Sequence, residues 1–165
     1  MGMVACFAGV DAGTIIRLKS NPENIEAFLD PDDGESEPQH YMDVDKAWHC
    51  IHFMLTGSAE GGPEPLAGAF FGGEEAGEDM GYGPARFMQP QQVRAISAAL
   101  LAINVESSKA RYDPSALAAA DVYLANMCVR DGDEALEYLV DNYHGLVELY
   151  RETAERGDGT VLWLS

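Results

Sequence analysis

The stretch DVDKAWHCIHFMLTG, residues 43–57, decides the fold because it is the most apolar segment of helix length in the chain. Its apolar and aromatic side chains recur at the spacing of one helical face. That face consists of Trp48, Ile51, His52 and Leu55. Cysteine, phenylalanine and methionine cover much of the remaining circumference, and a helix that is apolar nearly all round is a buried one. We therefore place this helix at the centre of the domain, with Gly57 as its C-terminal stop.

Two apolar strands and a long helix complete the predicted domain. Residues 3–10 are a continuous apolar run, which is typical of a strand buried on both faces. Residues 133–155 carry a helical apolar stripe, and residues 160–164, TVLWL, form a closing strand. We predict an α+β fold with one compact domain over residues 1–165, because this length suits one domain. Its small sheet includes the N- and C-terminal strands and packs with the central buried helix and the long C-terminal helix.

Shorter elements are expected between these segments. An Asn-Pro pair at Asn21 predicts the cap of a short helix, and a Gln-Pro pair at Gln89 predicts a helix preceded by a short strand. Residues 107–120 predict one or two short helices, while residues 121–129 fit either a strand or a helix.

Two segments have the composition of loops. Residues 30–40, DPDDGESEPQH, contain five carboxylates and almost nothing to bury, so we predict an exposed acidic loop. Residues 58–83 hold eight of the 17 glycines around one apolar interruption. This composition predicts a long glycine-rich loop that one short helix or strand pins to the core.

The charge balance narrows the classes of partner. The net charge is −18, from 28 acidic and 10 basic residues. Such a field repels phosphate and anionic lipid, because proteins bind those partners mainly through Lys and Arg. We therefore expect no nucleic-acid and no membrane partner. The charge fits a basic protein partner, a cation, or solubility alone.

The cysteines and the N-terminal segment indicate a cellular location. Cys6, Cys50 and Cys128 are too few and too scattered for a disulfide framework, and all lie in apolar surroundings. Buried, reduced thiols in a cytoplasmic protein are therefore expected. The start MGMVACFAGVD has no basic region and is short, which predicts neither a signal peptide nor a membrane span. The sequence does not define the oligomeric state.

Four features together resemble the YfbM-like family. They are the MGM start followed by apolar residues, the D-K-x-W-x-x-x-H-F-x-L-T-G motif at residues 45–57, the P-A-R-F-x-x-P-x-x-V motif at residues 84–93, and the final helix with its apolar strand. The resemblance spans essentially the whole chain, and the central motif is its most specific part. It implies a bacterial protein with a compact α+β domain. It transfers no catalytic residue, because the function of that family is unassigned.

The central helix supplies most of the candidate residues for a pocket. His52 shares a face with Trp48, and it is either a polar group in a pocket wall or a core histidine whose ring N–H bonds a backbone carbonyl. Asp45 is expected at the helix entrance, where its carboxylate caps backbone N–H groups or holds Arg86. The candidate pocket therefore comprises Asp45, Trp48, His52 and Arg86.

Patterns for metals, nucleophiles and cofactors are incomplete. His49 and His52 lie three positions apart, a spacing that suits a metal, but no HExxH pattern accompanies them. Cys50 points about 100° away from its sequence neighbours on a helix, which favours a buried inert thiol over a nucleophile. No dinucleotide fingerprint, P-loop or G-x-S-x-G motif occurs. We expect neither a metal nor a cofactor.

The carboxylates of residues 30–40 are the candidate contacts with a partner. They are Asp30, Asp32, Asp33, Glu35 and Glu37. A calcium-binding EF-hand loop is not indicated. Gly34 lies four residues after Asp30, whereas an EF-hand loop has its glycine five residues after the first ligand, and no glutamate occupies the twelfth position.

The sequence is compatible with two functions. The first is a binding protein, resembling an immunity or inhibitor protein, whose acidic surface neutralises a basic partner and speeds their association. The second is an enzyme or small-molecule binder with a pocket at Trp48 and His52, covered by the glycine-rich loop. The charge and the lack of a catalytic motif favour the first.

Overall fold

A five-stranded antiparallel sheet lies at the centre of the computed structural model, which describes residues 2–31 and 37–165. The strands are β1 (Ala5–Val10), β2 (Tyr41–Asp43), β3 (Glu74–Ala76), β4 (Ala85–Met88) and β5 (Gly159–Leu164). Their order across the sheet is β2-β1-β5-β4-β3, so the closing strand lies in the middle. The predicted N- and C-terminal strands pair with each other, with Ala5 opposite Leu164.

Helices of the described chain pack around this sheet. They are α1 (Ala12–Ser20), α2 (Ile25–Leu29), α3 (Trp48–Thr56), α4 (Gly68–Phe71), α5 (Pro90–Leu101), α6 (Val105–Lys109), α7 (Pro114–Ala119), α8 (Ala125–Asp131) and α9 (Asp133–Arg156). Short 3₁₀ turns at Pro22–Asn24 and Asp45–Ala47 lead into α2 and α3. These elements and the single sheet confirm the predicted α+β fold class.

The sheet is covered on both faces, which creates two hydrophobic cores. On one face, Cys6 and Trp163 pack in a cluster with apolar residues of α1 and α2. On the other face, Phe7 and Leu162 pack with residues of α3, α5 and α9. All six residues of β1 are buried, as predicted for a strand that is covered on both sides.

The predicted central helix is α3. The four residues assigned to its buried face are all buried: Trp48, Ile51, His52 and Leu55. Gly57 ends the helix in the left-handed conformation (φ 75°), where its N–H bonds the Phe53 carbonyl. Glycine adopts this conformation without a steric penalty, so the predicted stop is confirmed.

The entrance of α3 differs from the predicted aspartate cap. Asp45 lies in the 3₁₀ turn with a φ of 48°, and α3 begins without a side-chain cap. Oδ1 of Asp43 accepts a hydrogen bond from the Asp45 N–H (2.9 Å), so this carboxylate fixes the turn before the helix. Because the 3₁₀ turn runs directly into α3, its carbonyls can accept the first helical N–H groups.

The cap predicted at Asn21 is also wrong. The Asn21 amide donates a hydrogen bond to the Arg17 carbonyl (2.9 Å), so it closes α1 instead of opening the next helix. The following 3₁₀ turn has no side-chain cap, and α2 begins only at Ile25.

Several shorter predictions are confirmed or resolved. The strand before Gln89 is β4, and α5 begins with a capping box in which the Gln89 side chain takes part. The ambiguous residues 121–129 contain the start of α8, which begins after Leu124 adopts a left-handed φ of 71°. Residues 58–83 contain α4 and also β3, one element more than predicted.

The long C-terminal helix is confirmed as α9. It ends at Gly157, whose φ of 73° turns the chain into β5. Within residues 2–31 and 37–165, none of the helices combines the length and the apolar character needed to cross a membrane.

Candidate ligand-binding site

A cleft bordered by acidic side chains lies beside α2, on the sheet face that α1 and α2 cover. Its volume is about 350 Å³, and we call it the acidic cleft. Four exposed acidic residues border it: Glu26, Asp30, Glu37 and Asp79. The apolar part of its lining includes Leu29, Pro38, Met80 and Trp163. Carboxylates therefore surround an apolar and aromatic interior.

Strand pairing places two aromatic rings in this lining. The ring centroids of Tyr41 on β2 and Trp163 on β5 are 6.0 Å apart, and the ring planes are tilted by 48°. Between them on β1, Cys6 pairs with both Asp43 and Trp163. The Tyr41 hydroxyl lies 3.5 Å from the Cys6 sulfur and 3.2 Å from Oδ2 of Asp43. Burial raises the pKa of Tyr41 and that of Cys6, so both groups are neutral at neutral pH.

The carboxylate of Asp79 has a fixed position at the rim. Its Oδ1 accepts hydrogen bonds from the backbone N–H groups of Gly81 (2.7 Å) and Gly83 (3.0 Å). These bonds lower the pKa of Asp79, because they favour the charged form. The positive φ of Gly81 (116°) and of Gly83 (103°) allows the turn that aims both N–H groups at one oxygen.

The acidic loop contributes to this cleft from both of its described ends. Asp30 precedes and Glu37 follows residues 32–36, and both border the cleft. Asp32, Asp33 and Glu35 lie outside the described residues.

A smaller cavity, which we call the aromatic pocket, contains two of the residues predicted to share a pocket. Trp48 and Arg86 both line it, together with Phe70, Phe71 and Tyr82, and its volume is about 130 Å³. Tyr82 belongs to the glycine-rich loop, which therefore supplies part of the wall.

Arg86 is held at the edge of the aromatic pocket by two contacts. Its guanidinium donates to the Phe71 carbonyl (3.1 Å) and to Oε1 of Glu75 (2.6 Å). Glu75 pairs with Arg86 across β3 and β4, so the sheet register sets this ion pair. Both side chains are partly exposed, which leaves the guanidinium accessible from solvent.

His52 is a core residue and does not line the aromatic pocket. Its side chain is 0% exposed, and Nε2 lies 2.9 Å from the Gly61 carbonyl oxygen. The His52 ring packs edge-on against the Phe71 ring, with the ring centroids 4.6 Å apart. Burial lowers the pKa of His52 to about 4, so the ring is neutral at neutral pH. His52 therefore has the geometry of the core-histidine alternative, and it is absent from the lining of the aromatic pocket.

His49 also bonds to the backbone. Its Nδ1 accepts a hydrogen bond from the Tyr123 N–H (2.9 Å), which leaves Nε2 as the donor to the Ala59 carbonyl (2.8 Å). The two histidines of α3 therefore hold the start of the glycine-rich loop. Among the described residues, no group of three or more His, Cys, Asp and Glu side chains is arranged to hold a metal ion.

Asp45 contacts neither Arg86 nor a helical N–H group through its side chain. Its Oδ2 accepts a hydrogen bond from the Tyr138 hydroxyl (2.9 Å) on α9. The carboxylate therefore joins the entrance of α3 to the long C-terminal helix. The predicted set is thus divided, with Trp48 and Arg86 in one pocket and with Asp45 and His52 elsewhere.

Sequence reasoning missed the aromatic and loop residues of the acidic cleft. Trp163 was assigned only to a closing strand, although strand alternation puts it on the face opposite Leu162. Asp79 lies in the turn segment DMGYG, where an aspartate before glycines commonly accepts backbone N–H bonds. No local pattern connects these positions with Asp30, because the fold brings them together.

Comparison with family models identifies the class of protein. The chain belongs to the family described as Domain of unknown function (DUF1877), whose model matches residues 1–163. Its structure is similar to that of YfbM from Escherichia coli, a protein of unknown function. The TM-score is 0.70 at 20% sequence identity, and the match covers 99% of this chain and 100% of that chain. This match establishes the similarity of fold and confirms the YfbM-like resemblance. Comparison with the curated proteins found no match.

Proposed function

We propose that this protein is a cytoplasmic binding protein that captures a basic protein partner in the acidic cleft, in the manner of an immunity or inhibitor protein. The observation that carries the proposal is the arrangement of four carboxylates around an interior that contains Trp163. Lysine and arginine side chains combine an apolar stem with a cationic head. The acidic cleft offers a matching surface for each part.

The electrostatic contribution acts at two distances. The net charge of −18 attracts a basic surface and raises the rate of encounter. At about 0.1 M salt, charges are screened over roughly 10 Å, so the carboxylates that touch the partner determine specificity. The fixed and ionised carboxylate of Asp79 supports such a contact, because it loses little conformational freedom on binding.

The aromatic rings add a preference for a planar cation. A guanidinium over an aromatic face is stabilised by about 0.5–2 kcal/mol, depending on how far it is desolvated. Trp163 is only 4% exposed, so the partly exposed ring of Tyr41 is the aromatic surface that a cation can reach in the cleft. We therefore expect arginine to bind better than lysine.

An NMR titration with a tetra-arginine peptide tests the proposal. We expect shifts of the Trp163 indole N–H and of the backbone amides of Asp30 and Asp79, which weaken as salt is added. A tetra-citrulline peptide has the same length without the charge and should leave these signals in place. Shifts spread evenly over the acidic surface, with none concentrated at the cleft, would contradict the proposal.

Two charge-matched variants separate the cleft from the net charge. The cleft variant carries Glu26→Gln, Asp30→Asn and Glu37→Gln. The control carries Glu134→Gln, Glu137→Gln and Asp141→Asn at exposed positions of α9, a helix that packs on the other face of the sheet. We expect peptide affinity to fall at least about tenfold in the cleft variant and less than about twofold in the control. Equal losses would mean that charge alone causes binding.

The natural partner can be sought by affinity capture at low salt. We expect the wild-type protein to capture basic proteins that tetra-arginine releases. The α9 control should capture the same proteins, and the cleft variant should not. Recovery of neutral molecules alone would argue against a basic partner.

A second candidate function is the binding of a small anionic molecule in the aromatic pocket. It is favoured by one observation, the partly exposed guanidinium of Arg86, which lines the same pocket as Trp48. A volume of about 130 Å³ admits only a small ligand.

A screen of small carboxylates, monitored by the indole signals in NMR spectra, tests this candidate. A true ligand shifts the Trp48 signal, and Arg86→Gln removes its binding while the fold is kept. A ligand that binds wild type and Arg86→Gln equally would not use the aromatic pocket as proposed.

A further inference from the structure

Two cysteines from distant parts of the chain meet in the core. The sulfur atoms of Cys50 on α3 and Cys128 on α8 are 3.8 Å apart, and both residues are fully buried. The third cysteine, Cys6, belongs to the cluster on the other face of the sheet. We propose that Cys50 and Cys128 form a reversible intramolecular disulfide when the protein is exposed to a peroxide, and that this bond ties α8 to α3.

The surroundings of the pair favour reaction at Cys128. The Cys50 thiol has two acceptors within reach, the Cys128 sulfur and the Tyr123 carbonyl oxygen at 3.3 Å. A hydrogen bond from Cys50 lowers the pKa of Cys128, although burial opposes this effect. The hydrogen bond with Cys128 raises the pKa of Cys50, and burial raises it further. A thiolate therefore forms more readily at Cys128 than at Cys50, and the Cys50 thiol is placed to stabilise it.

The structure around α8 provides a route for a small oxidant. This helix is short and lies between two backbone conformations with positive φ, 71° at Leu124 and 53° at Gly132. A cavity of about 410 Å³, lined in part by Tyr123 and Leu124, borders its start. Short helices of this kind open locally more readily than the core of a domain. Neither cysteine lines this cavity, so the proposed reaction requires such an opening of α8 before peroxide reaches the sulfur atoms.

The chemistry requires one peroxide molecule for each disulfide. The Cys128 thiolate attacks one oxygen of hydrogen peroxide, the O–O bond breaks, hydroxide leaves, and Cys128 becomes a sulfenic acid. The Cys50 sulfur then attacks the sulfenic sulfur, the S–S bond forms, and the hydroxyl group leaves with the thiol proton as water. The two sulfurs lose two electrons in total and the peroxide gains them. A dithiol reductant reduces the disulfide and restores the two thiols.

Thiol counting and peptide mapping of the wild-type protein test the proposal. After treatment with hydrogen peroxide and denaturation in an alkylating reagent, we expect the reactive thiols to fall from three to one. Mapping should give a reducible cross-link between the peptides of Cys50 and Cys128, at a rate that does not depend on protein concentration. Sulfinic or sulfonic acid at either position without a cross-link, or a cross-link to Cys6, would overturn the proposal.

Single variants give matched controls. Cys6→Ser should form the same cross-link at the same rate as wild type. Cys50→Ser and Cys50→Ala should both lose the cross-link. Peroxide treatment should raise the melting temperature of the wild-type protein and leave that of the two Cys50 variants unchanged. Thiol loss in the Cys50 variants that equals the wild-type loss would show that the pair does not react as a unit.

Discussion

The Nε2 atom of His52 lies 2.9 Å from the carbonyl oxygen of Gly61, and this contact joins the central helix to the glycine-rich loop. The other ring nitrogen, Nδ1, is buried and has no partner among the described residues. A neutral ring fits this environment better than a protonated one, because Nδ1 then carries no proton that needs an acceptor. A protonated ring would place a second donor in the core without an acceptor.

The first prediction concerns the pH dependence of stability. The pKa of His52 is about 4 in the folded protein and about 6.5 in an unfolded chain, so the unfolded state binds the proton more readily. The contribution of His52 is therefore fully present above about pH 6.5 and is lost as the pH falls towards 4. Its size is on the order of 3 kcal/mol. Urea unfolding of wild type and His52→Gln across this range measures it.

The many carboxylates also titrate at low pH, but they do so in both proteins. The difference between wild type and His52→Gln therefore isolates the histidine. We expect this difference to shrink as the pH falls. A difference that stays constant would mean that the ring keeps its ordinary pKa in the folded state.

The second prediction concerns the bond between Tyr138 and Asp45. Tyr138→Phe removes the hydroxyl that donates to Oδ2 of Asp45, and we expect a loss of about 1 kcal/mol in unfolding free energy. Urea denaturation at neutral pH measures the loss. The control is Tyr82→Phe at an exposed position, which should change stability by less than about 0.5 kcal/mol. Equal effects would exclude a specific role for the Asp45 contact.

The third prediction concerns the backbone of the glycine-rich loop at Gly73. Its φ is 85°, and an added Cβ would lie 2.7 Å from the Phe87 carbonyl oxygen on β4. We expect Gly73→Ala to cost at least about 2 kcal/mol, because a steric clash adds to the left-handed backbone strain. Thermal or urea unfolding measures the cost.

Gly57→Ala is the matched control for Gly73. Its φ is 75°, but an added Cβ would have no atom within 4 Å, so only the backbone penalty of roughly 1–2 kcal/mol applies. If both variants lose the same free energy, the close approach of β4 to Gly73 has no energetic effect.

The fourth prediction concerns the hydroxyl of Tyr150, which is fully buried on α9. It donates to the Ala69 carbonyl oxygen in α4 (2.7 Å). Tyr150→Phe leaves this acceptor buried without the bond, and we expect a loss of about 1–3 kcal/mol. Guanidinium unfolding monitored by circular dichroism measures it. An unchanged midpoint would indicate that water or another donor replaces the hydroxyl.

Local periodicity predicted much of the fold. The buried face of α3, the glycine stop at Gly57 and the long helix α9 each follow from spacing within one segment, so they were available from the sequence. The direct pairing of β1 with β5 is a longer-range result. The prediction placed both strands in one sheet, but it did not include their direct pairing or the central position of β5.

The candidate sites were predicted less well because they depend on contacts between distant segments. Asp45 was assigned to a helix cap, since its partner Tyr138 is 93 positions away and its positive φ leaves no mark in the sequence. The acidic cleft needs Trp163 and Asp30 in one lining, and only the folded chain brings β5 and the end of α2 together. The Cys50–Cys128 pair was missed for the same reason.

The position of β5 in the sheet has a consequence for biosynthesis. This strand is translated after every other described element, yet it pairs with β1 on one side and β4 on the other. Until it leaves the ribosome, both neighbours lack their shared partner, and both hydrophobic cores lack the residues that β5 supplies. The nascent chain therefore cannot complete its sheet during synthesis. The domain reaches its native state only after β5 has emerged.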